Sequence, residues 1–168
     1  MVEFQICVTL HNTATDEEKE EWLDLEDYSS VDEIEEYLNS YFDSEESSTW
    51  DLGVFDVDGT EFNLDSLEEV WEFYEFLSED DYNVEAKIAY ANEESVEECM
   101  KNFEEAYNGT FDSGAEFAEQ LVEDVYSKND LPDFVTSHID WEGVWRELQY
   151  DYSEVEDSSG NVHIFRQI

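Results

Sequence analysis

This sequence has to fold against its own charge. Across 168 residues, 49 aspartates and glutamates stand against six lysines and arginines, a formal net charge of −43. Acidity on that scale ordinarily marks a disordered chain, because too little apolar surface is left to offset the entropy of ordering. Here 40% of residues are hydrophobic and 15% aromatic, with five Trp, ten Tyr and eleven Phe. The chain therefore folds, and does so against strong self-repulsion. A compact domain of this length has a radius of gyration of roughly 15 Å, while 43 charges at the ~1.7 Å axial spacing of duplex phosphates would span about 70 Å. Spreading the charge along an extended, multi-lobed body lowers the repulsion, so an elongated molecule is expected.

The same charge narrows the partners. Anionic lipid and nucleic acid are both repelled, which leaves basic surfaces. No segment approaches the ~20 apolar residues of a membrane span. The opening MVEFQICVTL has no basic leader region, so no export signal is expected. Cys7 and Cys99 show no paired spacing, which fits a reduced, cytoplasmic setting.

Periodicity divides the chain into three expected domains. Residues 1–60 read as a small α+β domain. Val2, Phe4, Ile6, Val8 and Leu10 alternate with polar residues as a half-buried strand, and a polar loop covers 11–18. A second strand runs from Lys19 to Leu25. Ser30 and Glu33 form a capping box for a helix with Val31, Ile34, Tyr37, Leu38 and Tyr41 inward. A Ser-rich loop over 44–49 precedes a strand, WDLGVFDV, ended by an Asp58-Gly59 turn.

Residues 61–106 read as a central helical domain too small to bury much alone. Ser66 opens a helix lined by Leu67, Val70, Trp71, Tyr74 and Leu77, and 83–90 is a short helix. Ser95 opens another helix, with Val96, Cys99, Met100 and Phe103 inward. Asn108-Gly109 marks a turn. Residues 107–168 read as a C-terminal α+β domain of helices plus a β-hairpin. It holds one helix on Ala118, Leu121, Val122 and Val125, and a second on Trp141, Val144, Trp145 and Leu148. The hairpin is turned by residues 157–160, and Pro132 opens a short helix. This last third is expected to anchor the rest. The tryptophans fall mostly on apolar faces and read as core.

The carboxylates form columns. Residues four apart on a helix lie ~6 Å apart on one face, so Glu68, Glu72, Glu75 and Glu79 align. Like charges at this spacing cost a few tenths of a kcal/mol per pair. Glu97, Glu98, Glu104, Glu116, Glu119 and Glu123 occupy corresponding outer faces of later helices. On one helix this would be a solvated face. Repeated on every helix with hardly any lysine between, it reads as an array resembling the phosphates of a duplex, attractive to any groove lined with Lys and Arg.

Other chemistry is poorly supported. Asp56-Val-Asp58-Gly59 hints at a calcium loop, but the first ligand position falls on Val54. His11, His138 and His163 have no partners at metal spacing, so no metal and no cofactor are expected. No phosphate-binding Gly loop and no GxSxG or Cys–His pattern is present, so no catalytic residue is assigned.

The ordered pieces Glu21-Trp-Leu-Asp-Leu25, Tyr107-Asn-Gly-Thr-Phe111, Ala115-Glu-Phe-Ala-Glu119, His138-Ile-Asp-Trp-Glu142, Arg146-Glu-Leu148, Asp151-Tyr152 and Gly160-Asn-Val-His-Ile-Phe165 resemble the ArdA antirestriction proteins over nearly the whole chain. The resemblance implies an elongated, non-enzymatic DNA mimic of three small domains. It would occupy the DNA-binding groove of type I restriction–modification enzymes, as a mobile element or phage would need in order to evade host defence. It also implies a homodimer through the C-terminal domain, bearing −86 by doubling the formal charge, with Val125, Tyr126, Phe134, Trp141 and Trp145 as interface candidates. The family's antirestriction motif would fall around Val125 to Asp140. The sequence departs from the family pattern at His138, where tyrosine is common, at Trp145, where a smaller residue is, and in the glycine-free loop 11–18.

Three rivals are carried forward. One is a DNA mimic aimed at another basic DNA-binding protein. Another is a salt-adapted acidic domain that needs high ionic strength to fold. The last is an acidic enzyme or calcium-binding module.

Overall fold

The computed structural model describes residues 4–13, 16–41, 50–57, 60, 63–79, 82–125 and 132–168. The chain is mixed α+β and divides into two compact units, residues 1–84 and 85–168.

In the first unit, β1 (Gln5–Asn12) and β2 (Glu17–Asp24) form an antiparallel pair, so both strands extend into the polar loop expected over 11–18. The Asp16 N–H donates to the Asn12 carbonyl at 2.8 Å, and Asp16 takes a positive φ of 60°. Asp is among the few non-glycine residues that tolerate this conformation. A single 3-10 turn over Leu25–Asp27 leads to α1 (Val31–Tyr41), followed by β3 (Trp50–Val57), β4 (Asn63–Leu64) and α2 (Leu67–Ser78). The sheet order is β2-β1-β3-β4, antiparallel throughout.

Phe4, just before β1, and Ile6, Val8 and Leu10 within it are buried together with Ile34 and Leu38 of α1; Cys7, expected on the polar face, is buried as well, so β1 is covered in part on both sides. Leu67, Val70, Phe73 and Leu77 of α2 complete it. The Phe4 ring meets Phe73 edge-on at 6.2 Å. Phe73, absent from the expected inner face of α2, is fully buried, whereas Trp71 and Tyr74 lie at the margin. The shift follows from Leu67, Val70, Phe73 and Leu77 forming a 3–3–4 stripe on one side of the helix, which leaves Trp71 and Tyr74 at its margin. Trp22 also departs from the core reading: it sits on β2, at the sheet edge, and is 56% exposed. The Ser-rich loop 44–49 and the Asp58-Gly59 turn lie outside the described residues.

The second unit contains α3 (Val84–Glu93), which begins at the division, then α4 (Val96–Ala106), β5 (Tyr107–Phe111), α5 (Gly114–Val125) and α6 (Asp133–Thr136). It ends with α7 (Trp141–Leu148), β6 (Tyr152–Glu156) and β7 (Val162–Arg166). Its sheet has the order β5-β7-β6, antiparallel, so the last strand is the central one. Successive β7 residues point to opposite faces. Ile164 joins Phe117, Ala118 and Trp145 beneath α5 and α7. Phe165 stacks on Tyr90 of α3 at 4.5 Å and lies 6.1 Å from the Phe103 ring of α4.

Three expectations are corrected here. Asn108-Gly109 is not a turn: it lies within β5, where the register against β7 shifts between Tyr107 and Gly109 and Gly109 has φ +115°. The glycine serves a bulge, which also needs positive φ. On α5 the buried face is Gly114, Phe117 and Ala118, while Val125 is exposed. Nor does the last third dominate the core: Phe73, Ile6, Leu25, Ile34, Val8 and Val70, all in the first unit, are among the largest fully buried side chains. The segment 61–106 is shared: α2 packs within the first unit, α4 against β7 in the second.

Candidate partner-binding surface

Serine followed three residues later by glutamate starts four helices, and the geometry explains why. The Ser66 hydroxyl accepts from the Glu69 N–H at 3.1 Å, Ser95 from Glu98 at 3.1 Å, and Ser113 from Glu116 at 3.2 Å. Ser30 does the same for Glu33 at 3.4 Å. In three of the four, the glutamate reaches back to the N–H of the residue before the cap. Glu33 takes Ser29 (2.8 Å), Glu69 takes Asp65 (3.1 Å) and Glu116 takes Asp112 (2.6 Å). Each pair satisfies N–H groups that a helix start leaves open. The Ser29 hydroxyl and N–H together hold the Glu33 carboxyl below the usual range.

These helices display the acids singled out from the sequence. On α2, Glu68, Glu72 and Glu75 are exposed, and Glu75 accepts from the Trp71 indole N–H at 2.9 Å. On α4, Glu97 and Glu104 are exposed. Glu98 is half-buried, accepts from the Asn102 amide at 2.5 Å and lies 3.7 Å from the Lys101 ammonium. On α5, Glu116 and Glu119 are exposed and Glu123 is half-buried. Glu116 is committed to its cap. The one buried lysine among the described residues, Lys87, has its ammonium 6.0 Å from the centre of the Phe103 ring.

The apolar candidates separate. Val125 and Phe134 are exposed at 66% and 72%. Trp141 is half-buried against the Phe117 cluster, and Trp145 is 5% exposed within it. Tyr126 lies outside the described residues, as do 127–131 of the Val125–Asp140 stretch. His138 is exposed beside Ser137 at the end of α6, and Asp140 caps α7 through the Gly143 N–H.

Sequence reading passed over a polar network in the second unit. Asp157, in the β6–β7 turn, accepts from the N–H groups of Ser159 and Asn161, the Asn161 amide, and His163 Nε2 at 3.1 Å. His163 Nδ1 meets the Thr110 hydroxyl at 3.0 Å, which meets the Tyr107 hydroxyl at 3.0 Å. Burial alone would push the Asp157 carboxyl up; the bonds from Asn161, His163 and Ser159 outweigh it and hold it down to about 2. The signal in the sequence is Asp157 and Asn161 flanking a Gly-containing turn, with His163 two residues beyond. Burial pushes the Cys99 thiol up to about 12, partly offset by Lys87. Among the described residues no three His, Cys, Asp or Glu side chains converge as a metal site.

The family model of the antirestriction protein ArdA matches residues 17–161. The chain belongs to the ArdA family. The match runs from the start of β2 into the β6–β7 turn, so it takes in all nine acids of the candidate array and all five apolar candidates. It leaves out β1 and β7, which lie between two neighbours in their sheets. No curated protein matches the chain. Among the described residues, no helix is long and apolar enough to cross a membrane.

Proposed function

We propose that this ArdA-family protein blocks restriction by imitating duplex DNA, occupying the DNA-binding groove of a type I restriction–modification enzyme without performing chemistry on it. The observation that carries the reading is the exposure of Glu68, Glu72, Glu75, Glu97, Glu104 and Glu119 on three helices of an antirestriction-family chain with a formal charge of −43. Such rows attract basic grooves through the counterion release that drives DNA binding. The protein acts as a dimer. It pairs with a second copy through its C-terminal part, where Val125 and Phe134 offer exposed apolar surface.

The test is capture of a type I methyltransferase core by the purified protein with duplex DNA titrated in. Progressive release by DNA is expected. Capture that is indifferent to saturating DNA overturns the shared groove. Capture of an unrelated basic DNA-binding protein, with none of the type I core, assigns the mimicry to a different target.

A further inference from the structure

Among the described residues, Trp22 is the only exposed tryptophan. On β2, Leu23 is buried and the Glu21 carboxylate accepts from the Tyr37 hydroxyl of α1 at 2.9 Å, so one face of the strand looks onto the helix. Side chains alternate along a strand, which turns Glu18, Glu20, Trp22 and Asp24 to the other face. There Trp22 is 56% exposed opposite Cys7 of β1, which is small and buried. β2 ends its sheet, so the ring can be approached from the side as well as from above. Trp22 makes no hydrogen bond and no ring contact with a described residue. Of the acids on this face, Asp24 accepts from the Glu26 N–H at 3.1 Å and Glu18 lies 3.8 Å from His11. Glu20, exposed and two residues from Trp22, has no such partner among the described residues.

We infer that Trp22 and Glu20 together take one arginine side chain of the partner, its guanidinium lying on the indole face while the carboxylate accepts its N–H groups. This rests on the mimicry reading and names the chemistry of one contact within it. Tryptophan attracts cations more strongly than the other aromatic rings. A guanidinium is planar and weakly hydrated, stacks on such a ring and pairs with a carboxylate through a fork of donors, whereas a lysine ammonium is a hydrated point charge. Alternate residues on a strand are about 7 Å apart, near enough for one guanidinium to touch both. Charge selects this occupant over others: lipid headgroups and nucleic acid are anionic, and a second copy would bring its own −43 against this acidic face.

Two arms test it. In the first, the wild-type protein is titrated with N-acetylarginine methylamide and, separately, with N-acetyllysine methylamide at matched ionic strength. The ¹⁵N–¹H resonance of the Trp22 indole, assigned by its loss in Trp22→Phe, is expected to shift more with arginine than with lysine. Equal shifts, or none, overturn the arginine site. In the second arm, affinity for a type I methyltransferase core is measured for Trp22→Leu, Trp22→Phe, Glu20→Gln and the double variant of W22L with E20Q. Because both side chains are exposed, urea unfolding should leave each variant close to the wild type. W22L is expected to weaken binding roughly three- to thirtyfold, the factor of one cation–π contact, and W22F less. The losses in W22L and E20Q should not multiply in the double variant, since one shared guanidinium is lost only once. Unaltered affinity in W22L removes the contact. W22F losing as much as W22L overturns the stacking. Losses that multiply return Glu20 to the charge array. If the wild-type protein binds no type I core, the mimicry reading falls, and the arginine titration still decides the site.

Discussion

Replacing Asp157 with Asn tests whether a buried carboxylate, in a chain with so many, is irreplaceable. The wild-type carboxylate accepts four hydrogen bonds, and its pKa falls from 3.8 to about 2. At 1.36 kcal/mol per unit, the ionised form contributes about 2 kcal/mol of stability. Asparagine has one acceptor oxygen, and its NH₂ faces donors. The native pKa is depressed, so this stability is fully present above the unfolded value near 4 and is lost as pH falls through about 2. The assay is urea unfolding of both proteins across pH 7 to 2, followed by tryptophan fluorescence. Global neutralisation of the other acids changes both alike, and only the difference counts. A gap of about 2 kcal/mol is expected at pH 7, roughly 10 °C in Tm for a unit of this size. It should close between pH 4 and pH 2, because a protonated carboxyl resembles the amide. A gap below ~0.5 kcal/mol at pH 7, the usual scatter of surface substitutions, or one of constant size at every pH, refutes the reasoning.

Four further outcomes are expected. Converting Glu68, Glu72, Glu75, Glu97 and Glu119 to Gln together should weaken inhibition in steps with the number changed, while each alone has a small effect; a single alanine abolishing inhibition in a folded protein contradicts a distributed array. Gly114→Ala should cost about 1–3 kcal/mol in urea unfolding, since the added methyl meets the packed Trp145 ring. Cys99 should resist alkylation in native buffer and react in urea, because burial pushes its thiol up to about 12; rapid native labelling by a thiol reagent would contradict its placement. Circular dichroism should show a folded chain near 0.1 M salt, where the screening length is ~10 Å; unfolding there would favour the salt-adapted rival.

Periodicity made most elements legible. Ser30, Ser66 and Ser95 marked three helix starts because a capping hydroxyl and a following glutamate solve a local problem, the open N–H groups of a first turn. The alternation of Ile6, Val8 and Leu10 gave β1 for the same reason: one face must be dry. Readings failed where partners distant in sequence decide. Asn108-Gly109 has the composition of a turn, yet pairing with β7 more than fifty residues away makes it a bulge. On α2, Leu67, Val70 and Leu77 are buried as expected, but Phe73 takes the place of Trp71 and Tyr74; Phe4 touches both Phe73 and Tyr74, so a contact between segments alone does not separate them. His163 could not be understood from its neighbours, since its acceptor lies in a turn and its hydroxyl partner on another strand.

The acids themselves divide by the same criterion. Glu33, Glu69 and Glu116 are bound to helix starts, Asp140 caps α7, and Asp157 holds the β6–β7 turn, so each turns carboxylate oxygens toward backbone donors. These groups still contribute charge at long range, but their positions are dictated by folding. Glu68 and Glu97 lie in the first turns of α2 and α4, where the helix dipole favours them, but Glu72, Glu104 and Glu119 carry no such assignment and face solvent on the outer helix surfaces. A chain that needed acids only to stabilise its helices would place them at first turns, where the helix dipole favours them, and would put lysine in the later turns. Among α2, α4 and α5, no last turn carries a basic residue. Acids that bring folding no benefit at their own positions are the ones for which recognition by a cationic groove is the physical account.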